Sequence, residues 1–465
     1  MTTLPRIGLL GIMQELYDDM IPGITEHQAR FAAQVAERLS GVAQVVFERP
    51  ARNQDDIETL SAQLLADGVD GVMIVMLTYG PAMRSIRALR TLRNVPVLLA
   101  NIQPEREITA DWNMDSLTYN QGIHGAQDQA NALVRADVPF SVITGDWQSD
   151  AFAGSFGDWA RAALAISTLR RSRLALIGYP MNGMGDITYD HEAMLRRIGT
   201  TVVSQDLGHI VARIQAVSDA DVQAVIAEHR ERFAMDPKLT EENHAYAVRF
   251  ELALRALMQE GGYAGFSFHF DAIGGDGRFR QLPILAASNL MADGYAFAAE
   301  GDTNTAMLMI AAQAMIGDAH FSEMYAMDWA RDSILISHMG EGNWKVARSD
   351  RPVRLIDRPL GIGGLDNPPT PVFAAEPGRA TTAALIPIEG DYYRLLVGHG
   401  EVLDTPELPH VEMHSFHLRP DAGMEAFMDD WLRFGGPHHF VTTLGEHAGR
   451  WRAFAELLEL DYEEI

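Results

Sequence analysis

The sequence predicts an α/β protein of two parallel-sheet domains followed by a mostly antiparallel β domain, and three observations predict it. Short apolar runs alternate with amphipathic stretches from the start of the chain. The same alternation restarts near Arg173. After about Asp318 the texture changes to strand-like runs separated by Pro and Gly. Strands alternating with helices imply βαβ units, whose strands are covered on both faces and so read as continuous apolar runs. The expected divisions are 1–170, 171–320 and 321–465, with the first linker near 167–172.

In the first domain, residues 6–12 (RIGLLGI), 43–47, 70–77 (DGVMIVML) and 96–100 read as buried strands, while 27–39, 55–65 and 81–92 have helical apolar spacing. In the second, 174–177 is a strand broken by Gly178-Tyr179-Pro180; 201–204 and 266–270 are later strands, and 219–231 and 241–261 are helices. In the third, 333–337, 383–387, 392–397 and 412–418 read as strands, 361–371 as a loop and 445–460 as a helix. Open α/β sheets bind ligands beyond the carboxyl ends of their strands, so functional residues are expected there or where domains meet.

Bulk properties exclude several classes. With 37 Lys plus Arg against 63 Asp plus Glu, the formal net charge of -26 repels phosphate backbones and anionic membranes, and a nucleic-acid or membrane partner is not expected. The absence of cysteine removes disulfides, thiolate metal sites and thiol nucleophiles, leaving His, Asp, Glu and backbone oxygen for any metal. Residues 1–7 lack a signal-peptide pattern, and no run approaches the ~18 apolar residues of a membrane span, so the expected location is the cytoplasm.

Four segments carry metal-ligand residue types in settings where they could act. Residues 295–305 (YAFAAEGDTNT) place Glu300 just ahead of a helix whose N-cap is Asp302 or Thr303; the plainer reading is a carboxylate complementing the helix dipole. In 321–329 (FSEMYAMDW), Glu323 sits among apolar residues, as an interface carboxylate also would. His338 ends the apolar run of 334–341 (ILISHMGE), where a hydrogen-bonded core histidine is the plainer alternative. In 435–440 (GGPHHF), adjacent strand residues point to opposite faces, so one of His438 and His439 can face a site while the other packs or orients a partner. Together the four segments offer two carboxylates and two imidazoles. Such a set suits a divalent ion of intermediate hardness with two positions left for adjacent sugar oxygens.

These segments resemble the L-arabinose isomerase family. Its Gly-Glu-Gly-Asp turn, downstream acidic residue, Ser-His-Met-x-Glu run and late His-His pair read here as AEGD, SEMY, SHMGE and GGPHHF. The resemblance covers nearly the whole chain in order: LTYGPAM at 77–83, YNQGIHG at 119–125, NGMGDIT at 182–188 and QLP at 281–283 also match. It implies that Glu300, Glu323, His338 and His439 are the metal ligands, that Glu300 and Glu323 are the acid–base pair, and that the ion is Mn²⁺ or another divalent cation such as Co²⁺ or Mg²⁺. It places Gln14, Leu16, Tyr79, Gln121, His124, Met184, Phe270 and His438 on substrate-site positions. It further implies two flavodoxin-like domains, a C-terminal β domain and a homohexamer, with Gln14, Leu16, Tyr79, Gln121 and His124 serving a neighbour's site.

The implied activity is aldose–ketose isomerisation of L-arabinose or a related pentose or hexose through a cis-enediol, with a hydride shift as the rival route. Which glutamate is base and which acid stays open. Departures flank the sugar: Gly11-Ile12-Met13-Gln14 replaces Thr-Gly-Ser-Gln, Glu341-Gly342-Asn343-Trp344 replaces Glu-Val-Cys-Pro, and the GGDG loop at 274–277 looks inserted. Two alternatives are another isomerase or epimerase on the same scaffold, such as an L-fucose-isomerase-like enzyme, and a non-catalytic sugar-binding protein.

Overall fold

A computed structural model describes residues 3–187, 190–361 and 364–465. The chain forms two compact units, Met1–Ser167 with Arg452–Glu459 and Thr168–Trp451 with Leu460–Ile465. The division falls between Ser167 and Thr168, within the stretch 167–172 where a linker is expected, and there the chain is the end of the helix Asp150–Arg171, which runs almost directly into the next strand.

The first unit holds strands β1 (Arg6–Ile12), β2 (Gln44–Val46), β3 (Gly71–Met76), β4 (Val97–Asn101) and β5 (Ser141–Thr144) in the all-parallel order β2-β1-β3-β4-β5. This is the doubly wound flavodoxin order. Every residue of β3 is buried, which is why the strand reads as unbroken hydrophobicity. The helix expected over 81–92 is a short 3₁₀ turn, Ala82–Arg84, followed by Ile86–Thr91, because Ser85 interrupts the regular bonding. The strand β5 carried no readable signal: two of its four residues are exposed.

The second unit begins with β6 (Arg173–Ile177), β7 (Thr201–Gln205), the two-residue β8 (Ala234–Met235), β9 (Gly265–Phe268) and β10 (Ala296–Ala299). Strands β7, β6, β9 and β10 form a second parallel sheet in the same winding order. Phe270, expected to end a strand, instead opens the helix Phe270–Asp276. The expected GGDG loop is the last turn of that helix, stopped by Gly277 in the left-handed region (φ 75°).

The rest of the unit contains β11 (Ala319–Asp328), β12 (Ser333–Ser337), β13 (Arg354–Asp357), β14 (Pro369–Val372), β15 (Gly378–Pro387), β16 (Tyr393–Val402), β17 (Ser415–Pro420), β18 (His439–Leu444) and β19 (Asp461–Glu464). The strands β15-β18-β11-β12-β17-β16 are antiparallel neighbours, and β16 pairs back onto β15, closing a barrel. Phe416 and Phe440 of its strands share one buried apolar core with Phe427 and Trp431 of the helix Met424–Arg433. β13 pairs with β14 on one side and with β8 on the other in a small separate sheet. The expected 361–371 loop therefore ends in a strand, and its Ile362 and Gly363 lie outside the described residues, as does Thr188 of the 182–188 match. The expected final helix is shorter, Ala448–Leu457.

Candidate metal centre

Glu300 follows β10 at the carboxyl edge of the second sheet, where the expected ligand position lies. It occupies the left-handed region (φ 60°), as does Gly301 (φ 79°), and the Asp302 N–H closes the turn on the Ala299 carbonyl at 2.9 Å. Gly301 is required twice over: a Cβ there would lie 2.5 Å from the Tyr179 carbonyl oxygen. A non-glycine residue in this conformation costs on the order of 1–3 kcal/mol and tends to mark a functional position. Asp302 is the N-cap of Thr303–Met315, its Oδ1 accepting from the Thr305 N–H at 2.9 Å.

The other donors come from the barrel. Register pairs Glu323 on β11 with His439 on β18 and, on the opposite side, with Ser337 on β12. Directly opposed residues on neighbouring strands share a face, so Glu323 and His439 stand side by side. His338 is the first residue beyond β12. The rings of His338 and His439 lie 5.6 Å apart, both against the edge or face of Phe321 at 4.7 and 4.8 Å.

Buried carboxylates orient these rings. His439 Nδ1 lies 3.1 Å from Asp302 Oδ2, and His338 Nδ1 lies 2.8 Å from Glu341 Oε2. A carboxylate only accepts, so in each ring Nδ1 carries a proton and Nε2 is the nitrogen turned toward the site, the one a cation would take from the neutral ring. His439 is fully buried, and its Nε2 has no hydrogen-bond partner, nor has that of His438. Both face Glu300: Nε2 of His439 and of His438 lie 3.5 and 3.6 Å from Glu300 Oε2. His438 precedes β18 rather than lying on it, so the expected alternation of faces does not separate the pair.

The electrostatics follow from this crowding. Burial opposes the charge on Glu300, but His438, His439 and His338 outweigh it and hold its carboxyl below the ordinary range. Burial likewise opposes a proton on His438, yet Glu300 and Asp186 raise its pKa to about 9. For His338, burial is overcome by Glu341, Glu323 and Glu300, and its pKa is raised.

Among the described residues, Glu300, His438 and His439 offer ligand atoms all within 4.8 Å of one another. Glu323 and His338 surround this triad without entering that radius. Phe270 lines a pocket shared with Glu300, His338 and Glu341. Met184 lies on the loop after β6 and is tied to Met181 by a backbone bond of 3.3 Å. Gln14, Leu16, Tyr79, Gln121 and His124 belong to the first unit, following β1 or β3 or beginning the helix Gly122–Arg135; the Tyr79 and His124 rings are 5.1 Å apart. Sequence reading treated Asp302 only as a cap and missed Asp186 altogether. The AEGD spacing held the signal for the first, and the NGMGDIT match at 182–188 contained the second without marking its role.

A buried carboxylate among imidazoles with unpartnered nitrogens fits a divalent cation of intermediate hardness. Comparison with known proteins gives the family of the chain. The L-arabinose isomerase N-terminal, central and C-terminal domain families match residues 7–171, 173–318 and 318–461. A Nocardioides L-arabinose isomerase is 33% identical over 460 residues, covering 95% of this chain and 90% of that protein. That of Aeromonas hydrophila is 29% identical over 460 residues, 95% and 90% covered, and that of Klebsiella pneumoniae subsp. pneumoniae is 30% identical over 412 residues, 86% and 81% covered. A periplasmic sugar-binding protein from Legionella pneumophila superposes with a TM-score of only 0.16 at 13% identity over 66% of this chain and 92% of that one.

Proposed function

The chain belongs to the L-arabinose isomerase family, and from that premise we propose that it is a divalent-metal-dependent aldose–ketose isomerase acting on L-arabinose or a related pentose or hexose. The observation that carries the metal reading is the Glu300–His438–His439 cluster, with imidazole nitrogens buried, oriented and unpartnered. Glu300, Glu323, His338 and His439 are the proposed ligand set, with His438 at its margin, and Mn²⁺ the proposed ion. When bound, such an ion polarises a carbonyl and its neighbouring hydroxyl.

The residues themselves divide the proton work. One of Glu300 and Glu323 takes the C2 proton of the aldose while the other protonates O1, giving a cis-enediol. Loss of the O2 proton and return of a proton to C1 then give the ketose, with no external oxidant or reductant. Phe270 lines the apolar side of the pocket that Glu300 and His338 also line. The carboxyl edge of the first sheet carries the proposed contacts Gln14, Leu16, Tyr79, Gln121 and His124. Met184 and His438 are proposed contacts from the second unit.

The same edge exposes Leu16, Met20, Met83, Met114 and Leu117, each 51–80% accessible. These residues all follow the ends of β1, β3 and β4, and an apolar rim of this kind supports a subunit contact. We assign it to a homohexamer. No helix of the described residues is long and apolar enough to cross a membrane; a cytoplasmic location and division into domains at 1–170, 171–320 and 321–465 belong to the same proposal.

A panel of pentoses and 6-deoxyhexoses, run with Mn²⁺ and with chelator, tests it. Ketose should form from L-arabinose or a close relative with Mn²⁺ and stop with chelator. Conversion of none of them, or conversion indifferent to chelator, contradicts the proposal.

A further inference from the structure

Asp186 stands on the loop that leaves β6, and no step of the proposed isomerisation uses it. Its Oδ2 accepts twice from one residue: from the His438 backbone N–H at 3.2 Å and from ring Nδ1 at 2.5 Å. A ring held by the same oxygen at its own backbone and at Nδ1 has little freedom left about its side-chain bonds. In that orientation Nε2 is buried, lacks a hydrogen-bond partner and faces Glu300 Oε2 at 3.6 Å.

The loop is fixed independently of His438. The Met181 N–H donates to the Glu300 carbonyl at 2.9 Å, and the Met184 N–H to the Met181 carbonyl at 3.3 Å. Tyr179 and Pro180 pack so tightly on Gly301 that any larger residue would collide with them. Backbone contacts thus bind the loop to the Glu300 turn, and the Asp186 carboxylate extends that reference to the start of β18. An ordinary surface ion pair would contribute little. This one differs because its far side, Nε2, ends in the buried donor cluster.

We infer that Asp186 is a positioning residue: by holding Nδ1 and the backbone of His438, it presents His438 Nε2 to Glu300 and to whatever binds between them. The inference rests on the proposed isomerase reading for its activity measurement but not for its metal measurement.

A double-mutant cycle tests it, with D186A, H438A, the double variant and D186N compared for kcat, KM and Mn²⁺ affinity by calorimetry. Loss of such an orienting group costs about 10- to 100-fold in activity or metal affinity. D186A should show that loss, in kcat more than in KM. D186N keeps an oxygen that accepts both bonds and should recover to within about fivefold of wild type. In the H438A background, D186A should add less than about twofold, because the group it positions is gone. A D186A protein indistinguishable from wild type in both measurements overturns the inference. So does a D186A loss that persists undiminished in the H438A background, or a D186N protein as impaired as D186A. If the wild-type protein turns over no sugar, the isomerase reading fails and the Mn²⁺ cycle alone decides the role of Asp186.

Discussion

Glu300 combines three demands that an ordinary surface glutamate does not meet. Its backbone is left-handed, its carboxylate faces two imidazole nitrogens, and the next two residues are a glycine packed on Pro180 and a helix cap that also orients His439. The residue types at this turn were legible: Glu-Gly-Asp before a helix implies a sharp turn and a cap. The partners were not, because Asp186, Glu341 and His439 reach the site from other parts of the chain. General acid–base groups contribute about 10²- to 10⁴-fold. E300Q and E323Q should therefore each lower kcat by at least that range while circular dichroism stays unchanged. A variant that keeps near-normal turnover removes its glutamate from the proposed pair.

At the scale of elements, the strands buried on both faces were read well, since a short, continuous apolar run bounded by turn residues is what a doubly covered strand requires. The strands β1, β6 and β12 and the helix Glu241–Gly261 lie where the pattern puts them. Errors fell where tertiary context overrides local pattern: at β5, half exposed; at Phe270, apolar but helical; and at the GGDG stretch, helical through Asp276 despite two glycines. The barrel strand β11 also buries a polar residue that no periodicity marks. His320 stands 1% exposed against His414, Phe373 and Phe416. Burial pushes its pKa down from 6.5 to about 3, helped by His338, and holds that of His414 well below the ordinary value. Between those values the unfolded chain binds protons that the folded chain refuses, so stability is full above about pH 6.5 and falls as pH drops toward 3. At two pH units below the ordinary value one such imidazole accounts for about 2–3 kcal/mol. Thermal melts of the metal-free protein from pH 7 to 4.5 should show this acid limb, and H320N should flatten it. An unchanged slope in H320N would place the proton uptake elsewhere.

Across the whole molecule, two parallel sheets with the same winding and a closed barrel place chemistry-bearing residues at strand ends. The fold was legible because each layer has its own hydrophobic period. The assembly of the site was less so: convergence of residues separated by over a hundred positions depends on strand register, such as Glu323 opposite His439, which no local signal encodes. The apolar residues at the carboxyl edge of the first sheet are part of the same architecture. In solution the protein should have the mass of six 51.3 kDa chains by light scattering, and a monomer at micromolar concentration would leave that rim without its proposed cover.

Side chains distant in sequence should close around one divalent cation, and crystals grown with Mn²⁺ and recorded at the manganese absorption edge test this most directly. One anomalous peak per chain is predicted, about 2.0–2.4 Å from the Glu300 carboxylate and from Nε2 of His439, with Glu323 and His338 drawn into its coordination sphere. A peak bound elsewhere, or none at saturating Mn²⁺, would contradict it.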